Sequence, residues 1–407
     1  MTNRAAQVVS LIERPIRRGI PILTACLLSA TCTTDATRGP SGVSLNAAAN
    51  TVSPAVVDLW GEPFSFIANS YASAVNPAGV VVGRTVTHVV MWDHGTITPI
   101  VPLAACGLCF VDRSDIRIDI NAAGQIVGVS NERAFEWDRG TFIELSAPPI
   151  SYASWINDAG DVLGAMGLCT IALPECRGTA VLWRKGTPIP LTLGGKFSTP
   201  AALNAAGDAV GEASLPAPAP HTGAVHAFLW RNGTMTDLGT AGGLESSAMG
   251  INAQGQVVGF SHVELGVTHA ILWDHGTTVD LGVGRACAIN SRGQILGESE
   301  GRAIVWDRDQ IIEIGLSGYG MGTIGDLCGA FEPFEHAPTI NAAGDVALNQ
   351  CTNTGVCSAY LWQRGTLTQL DDLGGGHARI FGINPRGWIV GQSTTPNGDV
   401  HAVLWTR

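Results

Sequence analysis

Lysine is almost missing from this 407-residue chain: of 23 basic residues only Lys185 and Lys196 are not arginine. Charge of either sign is scarce, at 14%, and tyrosine and methionine number only 4 and 6. Low charge beside a hydrophobic fraction of 45% excludes an intrinsically disordered chain, whose signature is the reverse. A nucleic-acid protein carries a basic stripe; none is present and the net charge is −11. Spanning a bilayer takes ~20 apolar residues. The run from Ile20 to Ala30 is too short and contains Pro21. There is no Gly-x-Ser-x-Gly, no His-Glu-x-x-His and no EF-hand loop. Gly320, Gly322 and Gly325 have dinucleotide-loop spacing, but no helix follows to place a phosphate. No catalytic, metal or cofactor-binding residue is therefore assigned, and no cofactor is expected.

What is present is glycine, at 51 residues, and tryptophan, at 11. The pattern Asn-x-x-Gly recurs at Asn76, Asn121, Asn157, Asn204, Asn252, Asn290, Asn341 and Asn384, with a mean spacing of 44 residues. A short β-branched run follows each, such as Val80-Val81-Val82-Gly83 or Gln256-Val257-Val258-Gly259. A second apolar run then ends in Trp92, Trp137, Trp183, Trp230, Trp273, Trp306, Trp362 or Trp405. In most copies a Gly turn comes next, as in Trp92-Asp93-His94-Gly95, and a last apolar run such as Met235-Thr236-Asp237-Leu238.

Runs this short, punctuated by Asn and Gly, are strands and not helices. Strand a ends at the Asn, b holds the Val-Val-Gly, c ends at the Trp and d follows the turn. The Asn can bond its own backbone while Gly supplies the positive φ that closes the hairpin. Four strands in about 44 residues is the size of one β-propeller blade. Strands a, b and c occur eight times, but the last c is not followed by a d. Upstream of the first Asn, Val56 to Trp60 and Pro63 to Ile67 read as a c-turn-d segment without its own a and b. The expectation is an all-β ring of about eight four-stranded blades over residues 53–407, closed by the N-terminal segment. Seven blades would require one irregular unit. Closure removes exposed strand edges.

These units resemble the bacterial HAF-repeat extracellular family. The closest stretch runs through His226-Ala227-Phe228-Leu229-Trp230, Gly233 to Gly239, Gly250-Ile251-Asn252 and Gly255 to Gly259. The resemblance spans about residues 70–407 and implies export and a repeat architecture. It brings no catalytic residues. Arg133, Thr179, Arg302 and Ser358 replace the tripeptide His in four units, and Leu348 stands where other b strands have Gly.

Residues 1–31 read as an export leader: Arg4, Arg14, Arg17 and Arg18 precede the apolar run. Leu23-Thr24-Ala25-Cys26 resembles a lipobox, and Cys32 is the other lipidation candidate. Residues 32–52 are small and polar and read as a tether. Without the leader the net charge is about −14, which disfavours anionic lipid. Eight cysteines remain, an even number that points to disulfides in an exported chain. Cys169/Cys176 and Cys351/Cys357 are the best pairs; Cys106, Cys109, Cys287 and Cys328 are further candidates. Cys106-Gly-Leu-Cys109 has half of a zinc-site spacing and no second half.

His88, His226, His269 and His401 open strand c. Their replacements can all donate hydrogen bonds and Arg is a poor metal ligand, so each is expected to donate to a carbonyl. Each repeat Trp is expected to pack between blades with its N–H on a carbonyl. Trp155, just before Ile156-Asn157 on strand a, should face the central channel as a ligand contact. Asp326, Glu332, Glu335 and His336, near Cys328, form a second ligand-facing candidate. The a–b and c–d turns are short throughout. The b–c and d–a connections lie at the opposite end and vary, with long examples at 165–177, 212–225, 101–117 and 314–338. Binding residues gather on such loops over a rigid scaffold. The reading is a secreted or envelope protein, an outer-membrane lipoprotein if the leader is acylated. It would act as a monomeric, non-enzymatic scaffold for an extracellular protein or glycan, not nucleic acid, touching membrane only through a lipid anchor. The alternative is a glycan-acting or metal-dependent extracellular enzyme using the same face.

Overall fold

The computed structural model describes residues 54–60, 69–103, 117–145, 150–167, 178–217, 223–263, 266–318, 327–328, 339–352 and 354–406. All lie in the unit Val52–Arg407. They form eight antiparallel sheets of four strands, a β-propeller. Blade 1 is Ser70–Val75, Val81–Thr85, His88–Asp93 and Thr96–Pro102, in the order a-b-c-d. The a strands of successive blades pack on one another around the whole ring, so a is innermost and d outermost. Every proline within a strand, Pro99, Pro102, Pro188, Pro190 and Pro200, stands on an a or d strand. A missing N–H is tolerated at a sheet edge and not in its centre.

The ring closes as the repeat count requires. Blade 8 consists of Ala378–Ile383, Ile389–Thr394, Val400–Thr406 and, from the other end of the chain, Ala55–Asp58. Ala55 faces Thr406 and Asp58 faces Val403. One detail differs from the sequence reading: Val56–Asp58 is strand d, not strand c. Val57-Asp58-Leu59 matches Thr236-Asp237-Leu238, the end of strand d in blade 4, and the structure uses it in that way. Pro63 to Ile67 lie outside the described residues.

Six of the seven c–d hairpins carry two residues with positive φ, as in His94 (47°) and Gly95 (86°) or Asn232 (49°) and Gly233 (85°). This is the geometry whose twist matches that of the strands, and it explains the Gly that follows the Trp turn in those six; blade 6 has Asp309 there. Seven of the eight repeat tryptophans are buried, at 0 to 7% exposure, each in a core shared with the preceding blade. Trp273, for example, packs on Val210 and Ala227 of blade 4. Trp137 is half-buried against blade 1. The expected carbonyl partner is found for Trp92 (Leu59 O, 2.6 Å) and Trp405 (Asp371 O, 2.8 Å). The buried Nε1 atoms of Trp273 and Trp306 have no partner, so area burial, not hydrogen bonding, fixes this position.

The repeated Asn does more than shape its turn. The Oδ1 of Asn252 accepts the amides of Gln254 (3.1 Å) and Gln256 (3.0 Å), as the turn reading anticipates. Its Nδ2 donates to the carbonyl of Asn290 in the next blade at 3.2 Å. The same bond occurs in every blade, at 3.0 to 3.3 Å, and Asn384 completes the circle on Asn76. Eight buried amides thus tie each blade to the next at the short-turn end of the ring.

A second pairing accounts for the residue after the Trp in blades 3 to 6, where it is Arg184, Arg231, Asp274 or Asp307. It meets the side chain four residues after the Asn. Where that residue is Asp161 or Asp208, the partner is Arg184 (2.8 Å) or Arg231 (2.9 Å). Where it is Gln256 or Gln294, the partner is Asp274 (3.1 Å) or Asp307 (2.9 Å). In blade 2, Gln125 instead meets Glu136, just before the Trp. Arg231 also lies over the a–b turn of blade 5: a Cβ on Gly255 (φ 80°) would sit 1.9 Å from its Nη2. Trp388 occupies the equivalent place in blade 8 and covers Gly79 of blade 1 in the same way.

This pairing predicts a compensated exchange. Gln256→Asp places a carboxylate against Asp274 and is expected to cost about 1–2 kcal/mol in urea unfolding. Adding Asp274→Arg recreates the blade 3 and 4 pair and should recover most of it, a coupling of about 1–2 kcal/mol. Strictly additive losses would contradict the pairing.

Candidate functional face

Antiparallel strand order puts every a–b and c–d turn at one end of the ring and every b–c and d–a connection at the other. At the connection end, the start of strand c meets the end of strand d through a side-chain contact to a carboxylate. His226 meets Asp237 at 2.9 Å, His269 meets Asp280 at 2.8 Å, and His401 meets Asp58 at 2.9 Å across the chain closure. The Arg-for-His replacements keep the device: Arg133 meets Glu144 at 2.5 Å and Arg302 meets Glu313 at 2.7 Å. The repeated His therefore serves the structure, but its partner is a strand d carboxylate and not the carbonyl expected from sequence. His88 is the exception: Pro102 stands opposite it, and it takes the Thr87 hydroxyl instead. Burial pushes the Asp280 carboxyl up, but the Gly282 amide and His269 outweigh it and hold its pKa below the ordinary value.

The disulfides lie at this end too. Cys351 and Cys357 face each other across the b–c hairpin of blade 7 and are bonded, as their spacing suggested. Cys287 and Cys328 form a second bond, 41 residues apart. Cys287 lies on the a strand of blade 6, Arg285–Ile289, and both sulfurs are buried. Leu327 and Cys328 fill the core between blades 6 and 7 beside Leu348 and Trp362. The described part of the a strand of blade 7 is Thr339–Ile340. The a strand of blade 2, Asp119–Ile120, is 2 residues long, and these two blades follow the two long d–a connections. Each of the other blades has 5 or 6 residues there.

Trp155 does lie on an a strand, Ser151–Ile156 of blade 3, and is half-buried. The Arg117 guanidinium stacks 4.7 Å from its ring centre, and the ring also packs against the core between blades 3 and 4. Arg117 is steadied by Asp119, which accepts the amides of Ile156 and Ile120 at 3.0 Å. Burial raises the Asp119 pKa while Arg117 and the two amides pull against it, and burial lowers that of Arg117. Three more arginines stack on aromatics of the inner two strands: Arg84 on Tyr71 (4.1 Å), Arg285 on Phe260 (4.8 Å) and Arg379 on Phe381 (5.7 Å). Sequence reading missed three of these four stacks because each joins residues from different segments or blades; Arg379 and Phe381 are neighbours two residues apart on one strand, Ala378–Ile383. The other candidates, Asp326, Glu332, Glu335 and His336, lie outside the described residues, as do Cys26, Cys32, Cys106, Cys109, Cys169 and Cys176. Among the described residues no group of three His, Cys, Asp or Glu is arranged to hold a metal. A shallow cavity of about 610 Å³ lies on the rim where blades 7 and 8 meet, lined by Val56, Gln369, Leu370, Asp371 and Asp372.

One titrating group couples two blades here. His377, just before the a strand of blade 8, accepts the Cys357 amide on Nδ1 at 2.9 Å, which requires a lone pair on that nitrogen. Burial, then Arg379, lowers its pKa against a smaller opposing effect of Asp372. A depressed histidine contributes stability that is full above its unfolded pKa of about 6.5 and is lost as pH falls through the folded value. Amide exchange at Cys357 should therefore accelerate as pH drops below about 6.5, after correction for intrinsic rates. In His377→Gln this acid-dependent step should disappear; a step of unchanged size would contradict the assignment.

No family model matches the chain, and no curated protein matches it. Solved propellers do. The β-propeller domain of the trilobed protease from Pyrococcus furiosus is 13% identical, with a TM-score of 0.46 over 75% of this chain and 99% of that one. Acylaminoacyl peptidase from Pyrococcus horikoshii is 13% identical, at 0.44 over 81% of this chain and 58% of the peptidase. TolB from Acinetobacter baumannii is 10% identical, at 0.35 over 81% and 79%. Likeness at this level concerns the fold alone.

Proposed function

We propose that this protein is an exported, non-enzymatic binding scaffold that recognises an extracellular protein or glycan with its connection face. The carrying observation is the contrast between the two ends of the ring. One end repeats the same two turns in almost every blade. At the other, connections of unequal length are tied to the scaffold by Cys287–Cys328 and Cys351–Cys357. Ordering a binding loop before it meets its partner lowers the entropy lost on association. Disulfides of this kind fit an oxidising, extracytoplasmic compartment. No helix among the described residues is long and apolar enough to cross a membrane. The resemblance to HAF-repeat extracellular proteins supports the same reading.

Photocross-linking tests it. A photoreactive residue at Leu244 (78% exposed) or Val356 (46% exposed), both on connections, should capture the same envelope or medium component, saturably. The same probe at Arg139, on an exposed c–d turn, should capture none of it. Capture from Arg139 and not from the connections would overturn the assignment of the face.

A further inference from the structure

Only two places in the chain join Asn directly to Gly: Asn232-Gly233 and Asn397-Gly398. All four residues are exposed. A glycine has no side chain to shield its amide nitrogen, so that nitrogen can reach the side-chain carbonyl of the Asn before it. The two sites lie at opposite ends of the ring. Asn232-Gly233 is the c–d tip of blade 4, closed by the Arg231–Thr234 pair. Asn397-Gly398 belongs to the b–c connection of blade 8, between Ile389–Thr394 and Val400–Thr406.

Reactivity depends on whether the backbone can present the glycine nitrogen to the Asn side chain. Attack closes a five-membered ring, in which the Gly nitrogen and the Asn C, Cα and Cβ are nearly eclipsed. For an L residue this sets ψ near about −120°, the value at the first central residue of a type II′ turn. Asn232 has φ 49° and Gly233 has φ 85°, the type I′ pattern. Type II′ keeps the positive φ of the first residue and reverses that of the second. Rotating the single peptide plane between Asn232 and Gly233 therefore converts one turn into the other. Gly accepts either sign of φ, and both turns close a two-residue hairpin, so strands c and d need not part. The second site is held differently. Asn397 lacks the positive φ, and Gly398 donates its amide to the Thr395 carbonyl at 2.9 Å. Rotating that peptide plane breaks the bond. Among the described residues Gly233 has no such bond.

We propose that Asn232 is a site of spontaneous covalent modification, deamidating through a succinimide faster than Asn397 despite the identical dipeptide. The Gly233 nitrogen loses its proton and attacks Cγ of Asn232. The Cγ–Nδ2 bond breaks and Nδ2 leaves as ammonia. Water then reopens the ring, and no oxidant or reductant is needed. Reopening at Cγ gives an aspartyl residue. Reopening at the main-chain carbonyl carbon gives an isoaspartyl linkage, in which the chain runs through Cβ. That linkage adds one main-chain atom to a two-residue turn and works against the Arg231–Thr234 closure. Both products add a negative charge next to Arg231, which is already paired with Asp208 at 2.9 Å. The proposal does not depend on what the connection face binds.

The test ages the purified protein in warm, mildly alkaline buffer and follows both sites by peptide mapping. Electron-transfer fragmentation separates the aspartyl from the isoaspartyl product. In the folded protein Asn232 should convert about fivefold faster than Asn397, the rate equivalent of one hydrogen bond of about 1 kcal/mol. In the reduced, urea-unfolded chain the two rates should become nearly equal. Asn232→Lys copies the Lys185-Gly186 tip of blade 3, with φ of 51° and 75°. It should remove the first product and leave the rate at Asn397 unchanged. Conversion of Asn232 no faster than that of Asn397 in the folded protein, or a ratio that is the same folded and unfolded, overturns the proposal.

Discussion

Asn252→Ala is expected to be among the most damaging single substitutions in the protein, lowering unfolding free energy by about 3 kcal/mol. The change strips the acceptor from two amides of the a–b turn and the donor from the Asn290 carbonyl, in a buried site. Each polar group left buried without a partner costs about 1–3 kcal/mol. Asn252→Asp separates the two functions. It keeps the oxygen that caps the turn, but sets a carboxylate against the Asn290 carbonyl. Burial and that repulsion raise the pKa of the introduced acid. A raised folded-state pKa gives stability that is fully present below the unfolded value of about 3.9 and lost as pH rises through the folded one. The Asp variant should therefore approach wild-type stability in acid and approach the Ala variant near neutrality. Urea unfolding from pH 3.5 to 7.5 measures it. A pH-independent difference between the two variants would mean that the bond between blades contributes nothing.

Removing the Cys287–Cys328 bond by a paired change to Ala should cost about 4 kcal/mol, against about 2 for the Cys351–Cys357 pair. The difference follows from the segments closed, 41 and 6 residues long, since a longer segment loses more freedom in the unfolded chain. The consequences should differ in kind as well. Cys328 and Leu327 belong to the core between blades 6 and 7, and Cys351–Cys357 only closes a hairpin. Thermal unfolding of each pair variant, with and without reductant, distinguishes them. Equal losses would show that chain constraint is not the source of the stabilisation.

The ring, its blade count and its closure were legible because the signals are local and repeated. Asn-x-x-Gly sets one turn, the Trp marks the end of strand c, and neither depends on distant residues. The Asn circle was not legible, because each donor meets a backbone carbonyl in another blade and a carbonyl leaves no trace in side-chain identity. The His–carboxylate pairs could have been found. Their separation of 11 residues is the same in His226–Asp237, His269–Asp280, Arg133–Glu144 and Arg302–Glu313. Asp58 was hidden from that search because its partner, His401, lies at the other end of the chain. The same signal would have shown Val56–Asp58 to be strand d. Of the proposed ligand-facing residues only Trp155 is described, and it is held between Arg117 and a core, which sequence position alone could not disclose.

The most direct test of the connection face is to exchange its connections while keeping the ring. Replacing residues 167–178 of blade 3 and 215–224 of blade 4 with the tight Glu300-Gly301 turn of blade 6 keeps the pairs Met166–Thr179 and Ser214–Val225 in register and leaves the Asn circle and both described disulfides intact. Affinity for the component captured from Leu244 is then compared with that of the parent chain, once circular dichroism has verified the fold. The account predicts that binding is lost while thermal stability stays within a few degrees. Binding that survives at full strength in a folded exchange variant would contradict it.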